Sequence, residues 1–264
     1  MQLPDPHQRF LDRALPIMQA DSRILGVAAG GSLVSHTLDE FSDLDLVIVS
    51  SDDDHAALVA EARQTAERLG ETLAAFTAEH VGVPNMIIAL YADPLLHVDL
   101  KYVGLTGFGD RIENPRVLFE RDGVLTKRMA DTPPVHPQPD PQWIEDRFWV
   151  WVHYTALKIG RGELFETLAA LAFLREQVLG PLSLLAHGEL PRGVRRLDTL
   201  APRHFQSLQA TTAGYDWHEA CEALLNAIDL YRELRSEVGG GLKTSLAEKA
   251  AVNYANTQID RRLG

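Results

Sequence analysis

The stretch that most constrains the fold is residues 30–49. It opens with a Gly-Gly-Ser turn after an apolar run and continues into a second apolar run that starts with two alternating aspartates. This pattern predicts a strand, a Gly-Ser turn that begins a short helix, and then another strand. Residues i and i+2 of a strand point to the same side, so Asp43 and Asp45 share one face of the second strand.

Two neighbouring carboxylates repel each other unless a cation lies between them, and oxygen ligands suit Mg²⁺ or Mn²⁺. Upstream, the backbone amides that follow Gly31 at a helix start can bind phosphate, and Ser32 can donate one more hydrogen bond. A phosphate site beside a metal site is what nucleotidyl transfer requires.

This passage resembles the polymerase-beta-like nucleotidyltransferase superfamily, whose signature is Gly-Ser, a spacer of about ten residues and then Asp-x-Asp. The matching residues are Gly31, Ser32, Asp43 and Asp45. The resemblance implies a third carboxylate on a neighbouring strand, and Asp99, within the apolar segment 95–103, fits that position. The alternative interpretation is that Asp43 and Asp45 bind no metal and are simply the solvated end of a strand.

Asp99 shares one strand face with His97 and Lys101 by the same two-residue alternation. The alternative to a catalytic carboxylate is a structural one that pairs with Lys101 or with an arginine. Three histidines, His36, His97 and His153, lack the partnered spacing of zinc ligands, and only His97 is retained as a supporting residue.

Composition narrows the class of protein. The 264 residues are 45% hydrophobic and 23% charged, which is typical of a globular protein. The formal charge of −12 and the lack of a basic track argue against nucleic acid as a partner and favour a small cationic one. A single cysteine, Cys221, excludes an internal disulfide, and its apolar helical context predicts a core position. With neither a signal peptide nor a membrane-spanning apolar run, we expect a cytoplasmic protein without a membrane partner.

The pattern along the chain predicts an α+β fold with two domains. The first, residues 1–131, is expected to hold a small mixed sheet with helices on one face; residues 132–141 form a Pro-rich linker; residues 142–264 form an all-α helical domain. Strands are predicted at 24–29, 44–49, 72–78, 85–91 and 95–103, with a short edge strand near 117–123. Helices are predicted at 6–19, 52–69, 142–159, 163–179, 217–237 and 245–262, interrupted by Gly160, by Gly180-Pro181 and by glycines 239–241.

In the helical half, Arg147, Trp151, Tyr154 and Lys158 recur at three- and four-residue steps and share one helix face. Such a face can bind a nucleotide, with an aromatic ring such as that of Tyr154 stacked on the base and Lys158 or Arg147 on phosphate. The alternative is a packed helix whose long cations extend to water.

The acid-bearing sheet domain is followed by the turn Leu-Phe-Glu-Arg-Asp-Gly at 118–123 and by a helical domain that has Phe148-Trp149 near its start and contains Arg-Gly-Glu-Leu at 161–164. This arrangement resembles bacterial antibiotic nucleotidyltransferases of the streptomycin 6-adenylyltransferase and lincosamide groups. The resemblance implies ATP or another nucleoside triphosphate as donor, two Mg²⁺ ions on Asp43, Asp45 and Asp99, and a hydroxylated, cationic small molecule as acceptor. Asp99 is the first choice for general base. Glu163 is the second, because in this family the helical domain can deliver a carboxylate, although an acid at a helix start explains it equally well. Lys101 and Lys158 are candidate phosphate contacts.

Three other functions remain open at this point. The acceptor could be a protein, as in toxin-antitoxin nucleotidyltransferases, or the chain could be a non-catalytic nucleotide sensor. The intact Gly-Ser and three carboxylates argue against the sensor. Modification of nucleic-acid ends would need a basic channel. The oligomeric state, monomer or homodimer, stays undetermined.

Overall fold

The computed structural model describes residues 3–35, 37–239, 242–243 and 245–264, so His36 and the last two glycines of 239–241 lie outside the described residues. The chain forms two compact units, Met1–Pro137 and Gln138–Gly264. The first is α+β and the second is helical, which confirms the predicted fold class.

The described part of the first unit is built around a six-stranded sheet. Its strands are β1 (Ile24–Ala29), β2 (Leu44–Ser50), β3 (Thr72–Ala78), β4 (Val83–Ala92), β5 (Leu95–Gly104) and β6 (Arg116–Glu120), and its helices are α1 (Asp5–Ala20), α2 (Asp52–Ala60), α3 (Ala62–Leu69) and α4 (Val124–Asp131). The strand order is β3-β4-β5-β2-β1-β6. Only the β2–β5 pairing is parallel, so the sheet is mixed, as predicted, and β6 is an edge strand.

The two faces of β2 pack differently. Leu44, Leu46 and Ile48 are buried in a core that also contains residues of α1, α2 and α3. Val47 and Val49 point to the opposite face, where Val49 is buried with Leu125 of α4. The expectation of helices on one face only is therefore incomplete, because α4 contacts β1 and β6 from the other side.

The helix predicted over 52–69 is broken into α2 and α3. Its start is as expected for an acidic first turn, with Ser51 as the N-cap accepting a hydrogen bond from the Asp54 N–H at 3.1 Å. The break lies at Glu61, whose carboxylate pairs with Arg23 at 2.8 Å. Since Arg23 also pairs with Asp21 at 2.7 Å, this ion pair ties the break to the start of β1.

The second unit is helical throughout its described length. Its helices are α5 (Pro141–Arg161), α6 (Leu164–Leu174), α7 (Gly180–Ala186), α8 (Leu197–Leu200), α9 (Phe205–Ala210), α10 (Trp217–Val238) and α11 (Ala247–Leu263). Cys221 is buried in α10, as predicted.

Gly180-Pro181 does not end a helix, contrary to the sequence expectation. A π-helical turn, Arg175–Leu179, joins α6 to α7, and Pro181 lies in the first turn of α7, where its missing N–H is tolerated. Gly180 is needed for another reason, because a Cβ there would lie 2.4 Å from the Gly193 carbonyl oxygen.

The continuous helical stretch Leu164–Ala186 is long and apolar enough to cross a membrane by length and composition. In this fold Leu171, Leu174 and Val178 pack into the core of the helical unit instead. Half of the most apolar window is buried in this way.

Candidate active site

Strand register brings two of the predicted carboxylates side by side. In the parallel pair β2–β5, Asp45 is the register partner of Asp99, so both residues lie on the same face of the sheet. Asp43 lies two residues before Asp45 and is half-buried like it. The three aspartates therefore form one acidic group, defined here as the aspartate cluster, at the beginning of β2.

The Gly-Ser turn lies directly against this cluster. It follows β1 as one 3₁₀ turn, Gly31–Leu33, and the Gly30 N–H donates to the Asp45 carbonyl oxygen at 3.0 Å. Gly31 has φ of +60°, and a Cβ at this position would lie 2.0 Å from Oδ2 of Asp45. Glycine is thus required both by the backbone conformation and by the neighbouring carboxylate. Ser32 is buried in the same turn.

A fourth carboxylate, which the sequence analysis missed, also reaches this turn. Oε1 of Glu113 accepts a hydrogen bond from the Gly31 N–H at 2.7 Å. Glu113 lies in the loop before β6, where neither periodicity nor a motif marks it. A carboxylate on this amide shows that the turn offers a donor to a negatively charged oxygen. Because the segment is only one 3₁₀ turn long, its individual N–H groups, and not a helix dipole, would bind such an oxygen.

Asp99 is partnered by His97, not by Lys101. Nε2 of His97 lies 2.9 Å from Oδ1 of Asp99, and the Asp99 side chain is 18% exposed. Burial raises the pKa of Asp99 above its ordinary value, and the negative charge of Asp43 raises it further, while His97 lowers it. Lys101 lies two residues after Asp99 on the same face of β5 and is exposed. Its register partner on β2 is Val47.

The donors of the aspartate cluster are of the type that Mg²⁺ prefers, because Asp43, Asp45 and Asp99 all offer carboxylate oxygens. Burial is the main cause of the raised pKa of Asp99, and repulsion by the negative charge of Asp43 adds to it. A divalent cation among them would relieve that repulsion.

The other predicted site residues belong to the helical unit, where they form a second group. The buried Lys158 ammonium pairs with Glu163 at 3.0 Å and also with Glu166, and it lies 4.9 Å from the ring centre of Tyr154. Hydrogen bonds with Glu166 and then Glu163 raise the pKa of Lys158. The two carboxylates thus hold Lys158 as a cation in this structure.

A cavity of about 440 Å³ lies beside this group. Its walls include Trp151, Tyr154 and Phe173, and Glu166 supplies a carboxylate. Because Glu166 already pairs with Lys158, the aromatic rings are the groups in this cavity that can contact a ligand with apolar faces and positive charge.

Comparisons with known proteins return nucleotidyltransferases among solved structures. An aminoglycoside 6-adenyltransferase from Bacillus subtilis matches with 18% identity over 95% of this chain and 97% of that one, at a TM-score of 0.39. A nucleotidyltransferase-like protein from Exiguobacterium sibiricum 255-15 matches with 14% identity over 93% of this chain and 78% of that one, at a TM-score of 0.40.

Spectinomycin adenyltransferase AAD(9) from Enterococcus faecialis, solved with ATP and spectinomycin, matches with 12% identity over 96% of this chain and 99% of that one, at a TM-score of 0.27. No family model matches the chain, and no curated protein matches it. At these identities and scores, function has to be derived from the chain's own residues.

Proposed function

We propose that this protein is a metal-dependent nucleotidyltransferase that moves a nucleoside monophosphate, AMP from ATP in the first instance, to a hydroxyl group of a small cationic molecule. The observation that carries the proposal is the placement of Asp45 and Asp99 as register partners, with the Gly31 turn against Asp45. Aminoglycoside and lincosamide antibiotics are the acceptors we would test first. If one of them is the acceptor, the protein would confer antibiotic resistance and would act in the cytoplasm.

The first unit would bind the donor. The backbone N–H groups that follow Gly31 and the Ser32 hydroxyl would bind the outer phosphates, with Lys101 as an additional contact; the Gly31 N–H itself donates to Glu113. Asp43 and Asp45 would hold Mg²⁺, and Asp99 would either complete the ligands of a second ion or act as the base described below; the ions would supply charge neutralisation of the phosphates and of the attacking oxygen. Positioning and electrostatics provide most of the rate enhancement in such transfers.

Asp99 would act as the general base. The acceptor oxygen attacks the α-phosphorus, the bond from that phosphorus to the bridging oxygen breaks, and pyrophosphate leaves. The acceptor proton passes to Asp99, whose Oδ1 is bonded to His97, so Oδ2 takes the proton. Glu163 remains the second candidate for this role.

The second unit would bind the acceptor. We propose that the chain acts as a nucleotidyltransferase domain over 1–131, a linker over 132–141 and a substrate-binding domain over 142–264. The cavity beside Tyr154 supports an acceptor with apolar faces and positive charge, because its aromatic rings can stack on both; the Glu166 carboxylate at its wall already pairs with Lys158. Tyr154 and Lys158 are the residues proposed to contact the nucleotide.

The test is pyrophosphate release from Mg-nucleoside triphosphates across a panel of aminoglycosides and lincosamides. We expect release that depends on one acceptor class and falls by more than about 100-fold in Asp45→Asn, since losing even an outer partner of a metal ligand costs about 10–100-fold. Asp53→Asn, an acidic residue in the first turn of α2, is the matched control and should retain full activity. Equal release by wild type and Asp45→Asn would contradict the proposal.

A further inference from the structure

A second cluster of potential metal ligands lies in the helical unit, away from every residue given a role above. His204 immediately precedes α9, and Glu233 and Glu237 lie one turn apart on α10. One ligand atom from each of these three residues lies within 4.8 Å of the others. The His204 side chain is 2% exposed, whereas Glu233 and Glu237 are 53% and 29% exposed, so the cluster has a buried nitrogen and solvent-accessible oxygens.

The distances from His204 to the two carboxylates are close to those of a tetrahedral zinc site. Nε2 of His204 lies 3.3 Å from Oε1 of Glu237, with which it forms a hydrogen bond in this structure, and 3.8 Å from Oε1 of Glu233. Zinc bonds of about 2.0–2.2 Å to nitrogen and oxygen separate two tetrahedral ligands by about 3.3–3.6 Å. The side chains therefore need little movement to bind one ion.

The electrostatics favour a cation at this position. Two carboxylates at i and i+4 of a helix repel each other, and both approach the same imidazole nitrogen. The nearby Arg203 pairs with the other carboxylate oxygen of Glu237, its Nη2 lying 3.5 Å from Oε2, whereas Oε1 contacts His204. A ligating carboxylate is commonly supported by such an outer hydrogen bond.

We propose that His204, Glu233 and Glu237 form a binding site for a divalent transition-metal ion, with Zn²⁺ as the preferred ion. One imidazole and two carboxylates are a mixed nitrogen and oxygen donor set, which suits Zn²⁺ better than Mg²⁺. Three protein ligands leave the fourth position to water, so the ion exchanges with solvent. When bound, it ties the segment that precedes α9 to α10.

The affinity is expected to be moderate. Nδ1 of His204 is buried and has no hydrogen-bond partner among the described residues, whereas zinc-bound histidines usually donate this N–H to a carboxylate or carbonyl group. Lack of that support weakens metal binding by about 10–100-fold relative to a supported site.

The experiment is a titration of chelator-treated full-length protein with Zn²⁺ against a competing indicator. Because the aspartate cluster also binds divalent ions in the proposed function, every variant carries Asp45→Asn. Glu237→Gln preserves shape and should weaken binding at this site at least 10-fold, and His204→Asn should do the same. His218→Asn is the control, since His218 pairs with Glu222 at 3.5 Å on the same helix but is 68% exposed.

Co²⁺ serves as a spectroscopic probe in the same proteins. The structure predicts a tetrahedral visible spectrum that is present in the Asp45→Asn and His218→Asn backgrounds and lost with Glu237→Gln. Equal Zn²⁺ binding by the Glu237→Gln and His218→Asn proteins, or no binding by either, would overturn the site. Neither result bears on nucleotidyl transfer, which this cluster does not serve.

Discussion

At the scale of single residues, the protonation of Asp99 links the geometry of the site to its expected pH dependence. A general base has to be ionised, and burial raises the pKa of Asp99 above that of an ordinary aspartate. Where Asp99 acts as the base and not as a metal ligand, the acidic limb of the kcat/KM profile, which reports the free enzyme, is therefore expected at a higher pH than an exposed aspartate would give.

His97 acts on this same pKa in the opposite direction. Its charge and its 2.9 Å hydrogen bond lower the pKa of Asp99, so His97→Ala removes a stabilising influence on the carboxylate. We expect the acidic limb of kcat/KM to move to higher pH in His97→Ala, while activity well above the limb is largely retained. His80→Ala, which removes an exposed histidine from the same unit, should leave the limb in place.

The measurement is kcat/KM against pH for wild type and both variants with the acceptor identified by the pyrophosphate assay. A limb that stays fixed or moves to lower pH in His97→Ala would contradict the assignment of Asp99 as the base. Asp99→Asn should reduce kcat/KM by about 10²–10⁴-fold, the usual contribution of a general base.

At the scale of elements, the turn between β1 and β2 is the part of the site that is expected to tolerate substitution least. Gly31 and Gly82 both have left-handed backbones, with φ of +60° and +79°. A Cβ at Gly31 would meet Asp45, whereas a Cβ at Gly82 would have nothing within 4 Å. The two glycines therefore separate backbone strain from collision with the aspartate cluster.

Alanine at either position should cost about 1–2 kcal/mol of stability, because a left-handed backbone disfavours a Cβ. Only Gly31→Ala should also displace the Asp45 carboxylate, and we expect it to lower kcat/KM by more than about 100-fold. Thermal unfolding and kcat/KM measured on both variants check this. Comparable activity in Gly31→Ala and Gly82→Ala would show that the turn does not position Asp45.

Elements with a clear periodicity were predictable from the sequence. The alternation in 44–49 and 95–103 gave β2 and β5, and placed Asp45 and Asp99 on strand faces. Their adjacency is a different matter, because the parallel pairing of β2 with β5 is a long-range contact that no local pattern encodes. It was expected only from the resemblance to a known superfamily.

The missed features have local physical causes. Glu113 reaches the site from an aperiodic loop, so only the folded chain brings it to Gly31. The break at Glu61 depends on a distant partner, Arg23. The helix passes through Gly180-Pro181 because a π-helical turn precedes it, and sequence rules treat that dipeptide as a stop.

The proposed zinc site could not be predicted from the sequence for the same reason, because it depends on long-range contacts. His204 lies 29 residues before Glu233, a spacing typical of no metal motif. The sequence pattern therefore did not mark His204 as a candidate ligand. Burial of the imidazole against two carboxylates of α10 is visible only in three dimensions.

At the scale of the whole molecule, the net charge and the division into two units are both consistent with the proposed function. A net charge of −12 disfavours a nucleic-acid partner and favours a cationic acceptor. One unit carries the aspartate cluster, and the other carries a cavity with aromatic and acidic walls. In the proposed function, the first unit would bind the donor and the second would bind the acceptor.

The role of the aspartate cluster in binding the nucleotide and its metal can be tested without knowledge of the acceptor. The measurement is a calorimetric titration of MgATP into wild type, Asp45→Asn and the Asp53→Asn control. We expect saturable binding by wild type and Asp53→Asn, and at least 10-fold weaker binding by Asp45→Asn, because Asp45 would bind the metal that accompanies the phosphates. Equal affinity for MgATP in all three proteins would contradict the assignment of the aspartate cluster as the nucleotide-metal site.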